Sequence, residues 1–209
     1  MAIERKPATP VEGTIEQEQE SMRHQFSRLI SYLDNLPITF ISMDGIEADD
    51  TIAYIADMYQ DVCKKMTIVS TDRDFYQLIS PAIQVWSPIK KKMYDEDAVL
   101  EEYGISSHNL IWYRVLDGDK SDNISGVRGL GLKTIQKKLP FLSENRIVEM
   151  DEVVNELPEH KDTIDLNYRL MQLSDVDISA STKTKIVDRV NAPINRLVKF
   201  KFEKMFLED

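Results

Sequence analysis

The feature that most constrains this chain is a strand–helix–strand pattern between residues 39 and 70. Thr39-Phe40-Ile41-Ser42-Met43 and Met66-Thr67-Ile68-Val69-Ser70 are short apolar, β-branched runs, and Glu47 to about Lys65 reads as a helix. A strand, a helix and a second strand within about 35 residues match the size of one βαβ unit. The two strands are therefore expected to be parallel neighbours joined by a right-handed crossover. Ile83-Gln84-Val85-Trp86 adds an expected third strand, with Lys90-Lys91-Lys92 in the polar turn after it.

The remainder reads as helical. Residues 1–13 look irregular, with Pro7, Pro10 and Gly13, and Thr14 with Gln17 fits a capping box. Met22, Phe26, Leu29, Ile30 and Leu33 then recur on one helical face that Pro37 ends. Helices are expected over Asp95–Tyr103, Ser107–Leu116, Leu132–Leu139, Glu144–Leu157, Thr163–Leu173 and Pro193–Leu207. An α/β layer followed by a helical layer is the expected architecture. Its divisions are an N-terminal linker and helix at 1–36, an α/β core at 37–116, and a helical region at 117–209.

Composition narrows the function. The chain has 209 residues, 42% hydrophobic and 30% charged, enough for a core and too charged for a membrane protein. No run approaches the ~18 uninterrupted apolar residues of a spanning helix. Met1–Lys6 has no apolar signal region, and the single Cys63 excludes a disulfide framework or a cysteine zinc site. Both features lead us to expect a cytoplasmic protein. The net charge of −10 disfavours a general polyanion binder. Such an acidic excess either solvates the surface or gathers carboxylates for cations, and position decides between these.

Three acidic clusters stand out. Glu47-Ala48-Asp49-Asp50 opens a helix, where carboxylates also favour the dipole by about 0.3–1 kcal/mol each. Asp72-Arg73-Asp74 follows the second strand, where an Asp is commonly a turn residue. Asp119-Lys120-Ser121-Asp122-Asn123 reads alone as a solvated loop. Together they say more, because two clusters leave the C-terminal ends of strands, where open α/β sheets build their sites. If the third loop folds over that edge, Glu47, Asp49, Asp50, Asp72, Asp74, Asp119 and Asp122 share one cleft. Like charges 4 Å apart repel by about 4 kcal/mol at an effective dielectric near 20, so such a cleft needs cations. All-oxygen donors select hard ions, Mg²⁺ or Mn²⁺. An EF-hand starting at Asp117 fails, since Asp122 falls where Gly is required and Arg128 where the bidentate Glu belongs. Two metals about 3.5–4 Å apart activate water at a phosphodiester, so a metal-dependent phosphodiesterase is expected.

Gly126-Val127-Arg128-Gly129-Leu130-Gly131-Leu132-Lys133-Thr134 is neither a Walker A loop, because Leu132 separates the last Gly from Lys133, nor a dinucleotide fingerprint. What remains is a tight hairpin between helices whose N–H groups, with Lys133, Lys137 and Lys138, suit a DNA phosphate. A plain αα-hairpin with solvated lysines is the other reading. Lys183, Lys185, Arg189, Arg196, Lys199, Lys201 and Lys204 are read as a solvated amphipathic face. Phe200, Phe202, Phe206, Trp86 and Trp112 are read as core. His24, His108 and His160 are assigned no role.

These motifs, in this order and spacing, resemble the flap endonuclease / 5′→3′ exonuclease family, and most closely its bacteriophage members such as the T-even-type phage RNase H. The Gln84–Pro88 segment with its lysine run resembles that branch too. The similarity is strong over about Pro37 to Leu139. The resemblance implies a partial PIN-like (5′-nuclease) α/β fold with a parallel sheet, followed by a helix-hairpin-helix and a C-terminal helical region. It also implies two Mg²⁺ ions, with Mn²⁺ as a substitute, in the hydrolysis of 5′ flaps and RNA primers during replication and repair. By that resemblance Glu47, Asp49 and Asp50 serve one metal, Asp72 lies near both, and Asp74, Asp119 and Asp122 serve the other. Gly126, Arg128, Gly129, Gly131, Lys133, Thr134 and Lys137 then grip flap, nicked or primer-bearing duplexes and RNA–DNA hybrids.

Family members also carry two earlier strands, each ending in a metal-binding Asp, and a helical arch with essential Lys and Arg. The sequence at hand starts after both Asp positions, with Arg5-Lys6 aligning as the tail of the arch. The resemblance therefore implies a fragment, or a chain completed by a second polypeptide, with Thr39–Met43 left partly unpaired. Replication proteins are further expected partners. A non-catalytic branched-DNA-binding chain is the competing expectation.

Overall fold

The structure is a computed structural model and describes residues 15–197 and 199–207. In chain order its helices are α1 (Ile15–Leu33), α2 (Ala48–Tyr59), α3 (Glu96–Tyr103), α4 (Leu110–Asp117), α5 (Leu132–Lys138), α6 (Met150–Glu156), α7 (Lys161–Met171), α8 (Ala180–Asn191) and α9 (Lys199–Leu207). The strands are β1 (Met66–Val69), β2 (Ile83–Ser87), β3 (Lys92–Tyr94), β4 (Gly118–Asp119) and β5 (Ile124–Ser125). No described helix is long and apolar enough to cross a membrane.

Two compact units emerge, one of residues 43–179 and one of the described residues before 43 and after 179. The larger holds a three-stranded sheet in the order β1-β2-β3. β1 and β2 are parallel, with Met66 opposite Ile83 and Val69 opposite Trp86, and β2 and β3 form an antiparallel hairpin. This corrects the expected pairing. Thr39–Met43 forms no strand, and the parallel partner of Met66–Val69 is the run at 83–87. A β-branched run fits a pleated surface but does not choose its neighbour. β3 was hidden by its lysines: Lys90 and Lys92 lie over the Tyr94 ring, 5.2 and 4.8 Å from its centroid, and both pair with Glu102.

The core runs from this sheet into the helices. Val85, Tyr94, Val99, Ile105 and Val115 are fully buried, and Tyr76 stacks on Tyr94 with ring centroids 4.4 Å apart. Such an offset aromatic pair adds about 0.5–1.5 kcal/mol beyond its burial. α4 is buried on every side from Leu110 to Leu116, including Arg114. It packs on α7, where Trp112 stacks on Tyr168 at 5.0 Å. Trp112 is thus core as expected, while Trp86 is half-buried.

Several helix boundaries also differ from expectation. The stretch 107–117 divides into a 3-10 turn (Ser107–Asn109) and α4. α6 starts only at Met150, because residues 144–149, after a 3-10 turn at Pro140–Ser143, run as a loop held by the Asn109 side chain at Glu144, Arg146 and Val148. α9 starts at Lys199, with residues 193–197 irregular after Pro193. α8 was not anticipated. Thr14 of the expected capping box, and residues 1–13, lie outside the described residues.

In the smaller unit, Arg28 of α1 donates to the Met205 carbonyl of α9 at 2.8 Å, and Tyr32 packs edge-on against Phe202 and Phe206. Phe200 and Phe206 are exposed, at 77% and 65%, which corrects their reading as core.

Candidate metal centre and phosphate-binding loop

After β1 the chain turns through Ser70–Asp74. The Asp72 N–H donates to Ser70 Oγ at 3.1 Å, and the Asp74 N–H donates to Asp72 Oδ1 at 2.9 Å. Asp72 thereby closes a local side-chain-to-backbone turn just before the 3-10 turn of Asp74–Leu78, whose N-cap is Arg73, and stays exposed. That turn is anchored by Gln77, which donates to the Met171 carbonyl at 3.0 Å and accepts from the Leu173 N–H at 2.9 Å. So Asp74 is aimed by a parallel strand on one side and by the end of α7 on the other.

Asp119 is positioned independently by the β4–β5 ribbon. Gly118 has a left-handed φ of 77°, and a Cβ there would lie 2.3 Å from Gly126 N. A Cβ on Gly126 would lie 2.2 Å from the Asp117 carbonyl oxygen. Glycine at both positions lets the ribbon close against the end of α4. Asp119 Oδ1 then accepts from the Ser121 N–H at 2.7 Å and from the Ser121 hydroxyl.

Arg114 joins the two. Its Nε donates to Asp74 Oδ1 at 2.5 Å, and a terminal nitrogen donates to Asp119 Oδ2. The Arg114 side chain is only 9% exposed. Ser121 and Arg114 together hold the Asp119 carboxyl at about 2, well below its usual range. Desolvation at Asp74 outweighs the same guanidinium, and with the Asp72 and Asp119 charges it raises that carboxyl. Desolvation opposes the charge on Arg114 too, but the two carboxylates win and push its pKa up. Thr71, Asp72, Arg73, Arg114, Asp119, Ser121 and Asp122 line one cavity of about 460 Å³.

The remaining sequence-predicted carboxylates lie at the start of α2. Glu47 is the N-cap, with its side chain exposed and making no capping hydrogen bond, and Asp49 and Asp50 are half-buried. Burial, then Asp49, then Asp177 raise the Asp50 carboxyl. Among the described residues no three His, Cys, Asp or Glu side chains converge at metal-binding distance. The structure thus gathers Asp72, Asp74, Asp119 and Asp122 around Arg114 and its cavity, and Asp49 and Asp50 near Asp177.

The glycine loop is pinned by buried Val127 and Leu130, leaving Arg128 and Gly129 exposed at its tip. Gly129 adopts a left-handed φ of 85°, and Gly131 is the N-cap of α5. Lys133 and Lys137 are exposed on α5, while Thr134 is half-buried and donates its N–H to the Gly131 carbonyl at 2.8 Å. Sequence reasoning missed Arg114 and Asp177. A lone cation inside the apolar run Leu110-Ile111-Trp112-Tyr113-Arg114-Val115-Leu116 was the available signal for the first. No signal marked the second.

Residues 14–104 match the family described as 5′-3′ exonuclease, N-terminal resolvase-like domain. The chain is a relative of the 5′-3′ exonucleases. It is 32% identical over 157 residues to a 5′-3′ exonuclease of Aquifex aeolicus, covering 73% of this chain and 54% of that protein. It is likewise 32% identical to a 5′-3′ exonuclease of Buchnera aphidicola, covering 76% of this chain and 60% of that protein. The chain thus spans little more than half the length of these 5′-3′ exonucleases. Its fold is that of the bacteriophage T5 5′ nuclease: a T5 protein co-crystallised with metal ions matches with a TM-score of 0.57 at 21% identity. That match covers 95% of this chain and 73% of the T5 chain. A T5 flap endonuclease in a pseudo-enzyme–product complex with DNA and metal ions matches with a TM-score of 0.56, also at 21% identity, covering 94% and 72%.

Proposed function

We propose that the chain acts as a Mg²⁺-dependent, structure-specific 5′ nuclease on DNA and RNA–DNA during replication. The observation that carries this reading is the Asp74–Arg114–Asp119 bridge, whose Arg114 and Asp119 line one cavity with Asp72 and Asp122 after β1. The donor set fits a hard divalent cation, because every candidate ligand is a carboxylate oxygen. Asp72, Asp74, Asp119 and Asp122 would hold one ion, and Glu47, Asp49 and Asp50 the other. Bound divalent ions supply a water activated at neutral pH and stabilisation of the leaving oxygen.

The protein's own contribution is placement. Arg114 keeps Asp74 and Asp119 together, Ser121 orients the Asp119 carboxylate, and Gln77 fixes the turn that carries Asp74. Arg128, Lys133 and Lys137, with the backbone at Gly126, Gly129, Gly131 and Thr134, form the surface that would bind duplex phosphates in helix-hairpin-helix fashion. Such contacts set register on the duplex without reading sequence.

A second polypeptide that completes the site is part of the proposal. Among the described residues β1 has a ladder partner on one side only, and its Val69 is 66% exposed. Parallel sheets are ordinarily covered on both faces, so an open edge and an open face at the site-bearing strand favour a completing partner. The competing reading, a branched-DNA-binding chain without chemistry, draws on the absence of three converging carboxylates among the described residues.

The deciding experiment is cleavage of a 5′-labelled flap duplex with Mg²⁺ or EDTA, beside Asp119→Asn. Mg²⁺-dependent products lost in the variant support the nuclease reading for the chain alone. Binding without product, with cleavage restored by an added completing polypeptide, supports the completed form. Metal-independent binding that no added polypeptide converts to cleavage supports the non-catalytic reading.

A further inference from the structure

Resting on the reading of Asp74 and Asp119 as metal ligands, the geometry points to Arg114 as a positioning residue that competes with the metal. We propose that its guanidinium stands in for the cation in the metal-free protein, holding Asp74 and Asp119 together. A divalent ion entering there must loosen at least one of its two ion pairs.

Three features carry the inference. First, Arg114 is the buried cation within the run Leu110–Leu116 of α4, which is enclosed on all sides, so the side chain has little room to leave. Its charge persists at every pH of interest. Second, the oxygens are already in use. A carboxylate offers about four acceptor sites. Asp119 spends both oxygens on Arg114, the Ser121 N–H and the Ser121 hydroxyl. Asp74 spends Oδ1 on Arg114 and leaves Oδ2 without a hydrogen-bond partner among those described. Third, Arg114 lines the same cavity as Asp72, Asp119 and Asp122, so an ion placed there faces the guanidinium directly. Two cations sharing those oxygens repel, which weakens binding of the second.

The bridge therefore has opposite effects on two observables. It stabilises the metal-free fold, because without it two poorly solvated carboxylates face each other unneutralised. It also lowers the affinity for divalent ions. A merely structural arginine would share the first effect and not the second.

The test is calorimetric titration of the whole chain with MnCl₂ alone, for wild type, Arg114→Met, Arg114→Lys and Asp119→Asn, with circular dichroism to follow folding. Arg114→Met is expected to bind Mn²⁺ about tenfold more tightly, the ratio that loss of one competing charged hydrogen bond corresponds to. It should also melt at lower temperature in EDTA and regain more of that loss on adding Mn²⁺ than wild type gains. Arg114→Lys, which keeps the charge but loses the two-pronged bridge, should fall between. It carries the comparison if Arg114→Met does not fold. Equal or weaker Mn²⁺ binding in the folded Arg114 variants, with binding lost in Asp119→Asn, overturns the proposal and leaves the metal ligands standing. Mn²⁺ binding unaffected by Asp119→Asn, or absent throughout, removes the ligand reading and the proposal with it.

Discussion

Asn109 holds Val148 across 39 positions of sequence: the Val148 N–H donates to Asn109 Oδ1 at 2.9 Å in the buried core. The Val148 carbonyl is taken by Trp112 Nε1 at 3.0 Å, so both its backbone groups are satisfied by side chains at the start of α4. Asn109 Nδ2 also donates to the carbonyls of Leu142 and Arg146. Replacing Asn109 with alanine leaves several buried backbone groups without partners, each costing about 1–3 kcal/mol. We expect Asn109→Ala to lose about 2–4 kcal/mol in urea denaturation, with Asn109→Asp no better than partial rescue because it cannot donate.

Glu102 gives a pH signature. Burial opposes its charge, but hydrogen bonds from Lys90, Tyr94 and Lys92 outweigh that and bring its pKa to about 2. A carboxyl depressed in the folded state contributes stability above its unfolded pKa of about 4.3, lost as pH falls through the folded value. The stability gap between wild type and Glu102→Gln should therefore be full at pH 7 and close between about pH 4 and pH 2. Because the lysines are more than a third exposed, the gap at pH 7 should be about 1 kcal/mol. Chemical denaturation across that range, at fixed ionic strength, measures it.

Gly118 tolerates no side chain. Its left-handed φ and the 2.3 Å approach of Gly126 N mean that Gly118→Ala must open the β4–β5 ribbon. A loss of about 2–4 kcal/mol is expected. Asp119 should shift with the ribbon, so Mn²⁺ affinity measured at a temperature where the variant is folded should fall as well.

The exposed cations of the glycine loop and α5 make a separate prediction. Arg128→Ala and Lys133→Ala should each weaken duplex binding without changing sequence preference. Each should also reduce the slope of log affinity against log salt by about 1. Fluorescence anisotropy over a salt series, in EDTA to suppress cleavage, distinguishes this from a misfolded loop, which would lose binding without a graded change in slope.

Legibility in the sequence followed the range of the interactions involved. α1, α3 and α5 were readable because their apolar spacing and capping are local; Asp95, for instance, accepts the Ala98 N–H within one turn. β1 and β2 were readable as strands. Their pairing was not, because it depends on whichever neighbour lies closest in space. The run Lys90-Lys91-Lys92 concealed β3, since its charge is absorbed by Glu102 ten or more residues away. α8 was hidden because Ser181, Thr182 and Thr184 dilute its apolar period. In the candidate site the acidic motifs announced themselves. Arg114 did not, because only the folded chain shows that one residue of α4 reaches both Asp74 and Asp119. Gly126, expected to meet phosphate, is also required for the close packing of its loop on Asp117.

Among the described residues β1 is paired on one side only, so concentration would become a variable of this protein's state. Its outward row of backbone groups would suit an extended chain, including the same strand of another copy. Because such a pairing uses the same edge of both copies, it would close at two chains and leave no further β1 edge open. The order in which a completing chain and a second copy arrive would thus decide between a finished nuclease and an oligomer.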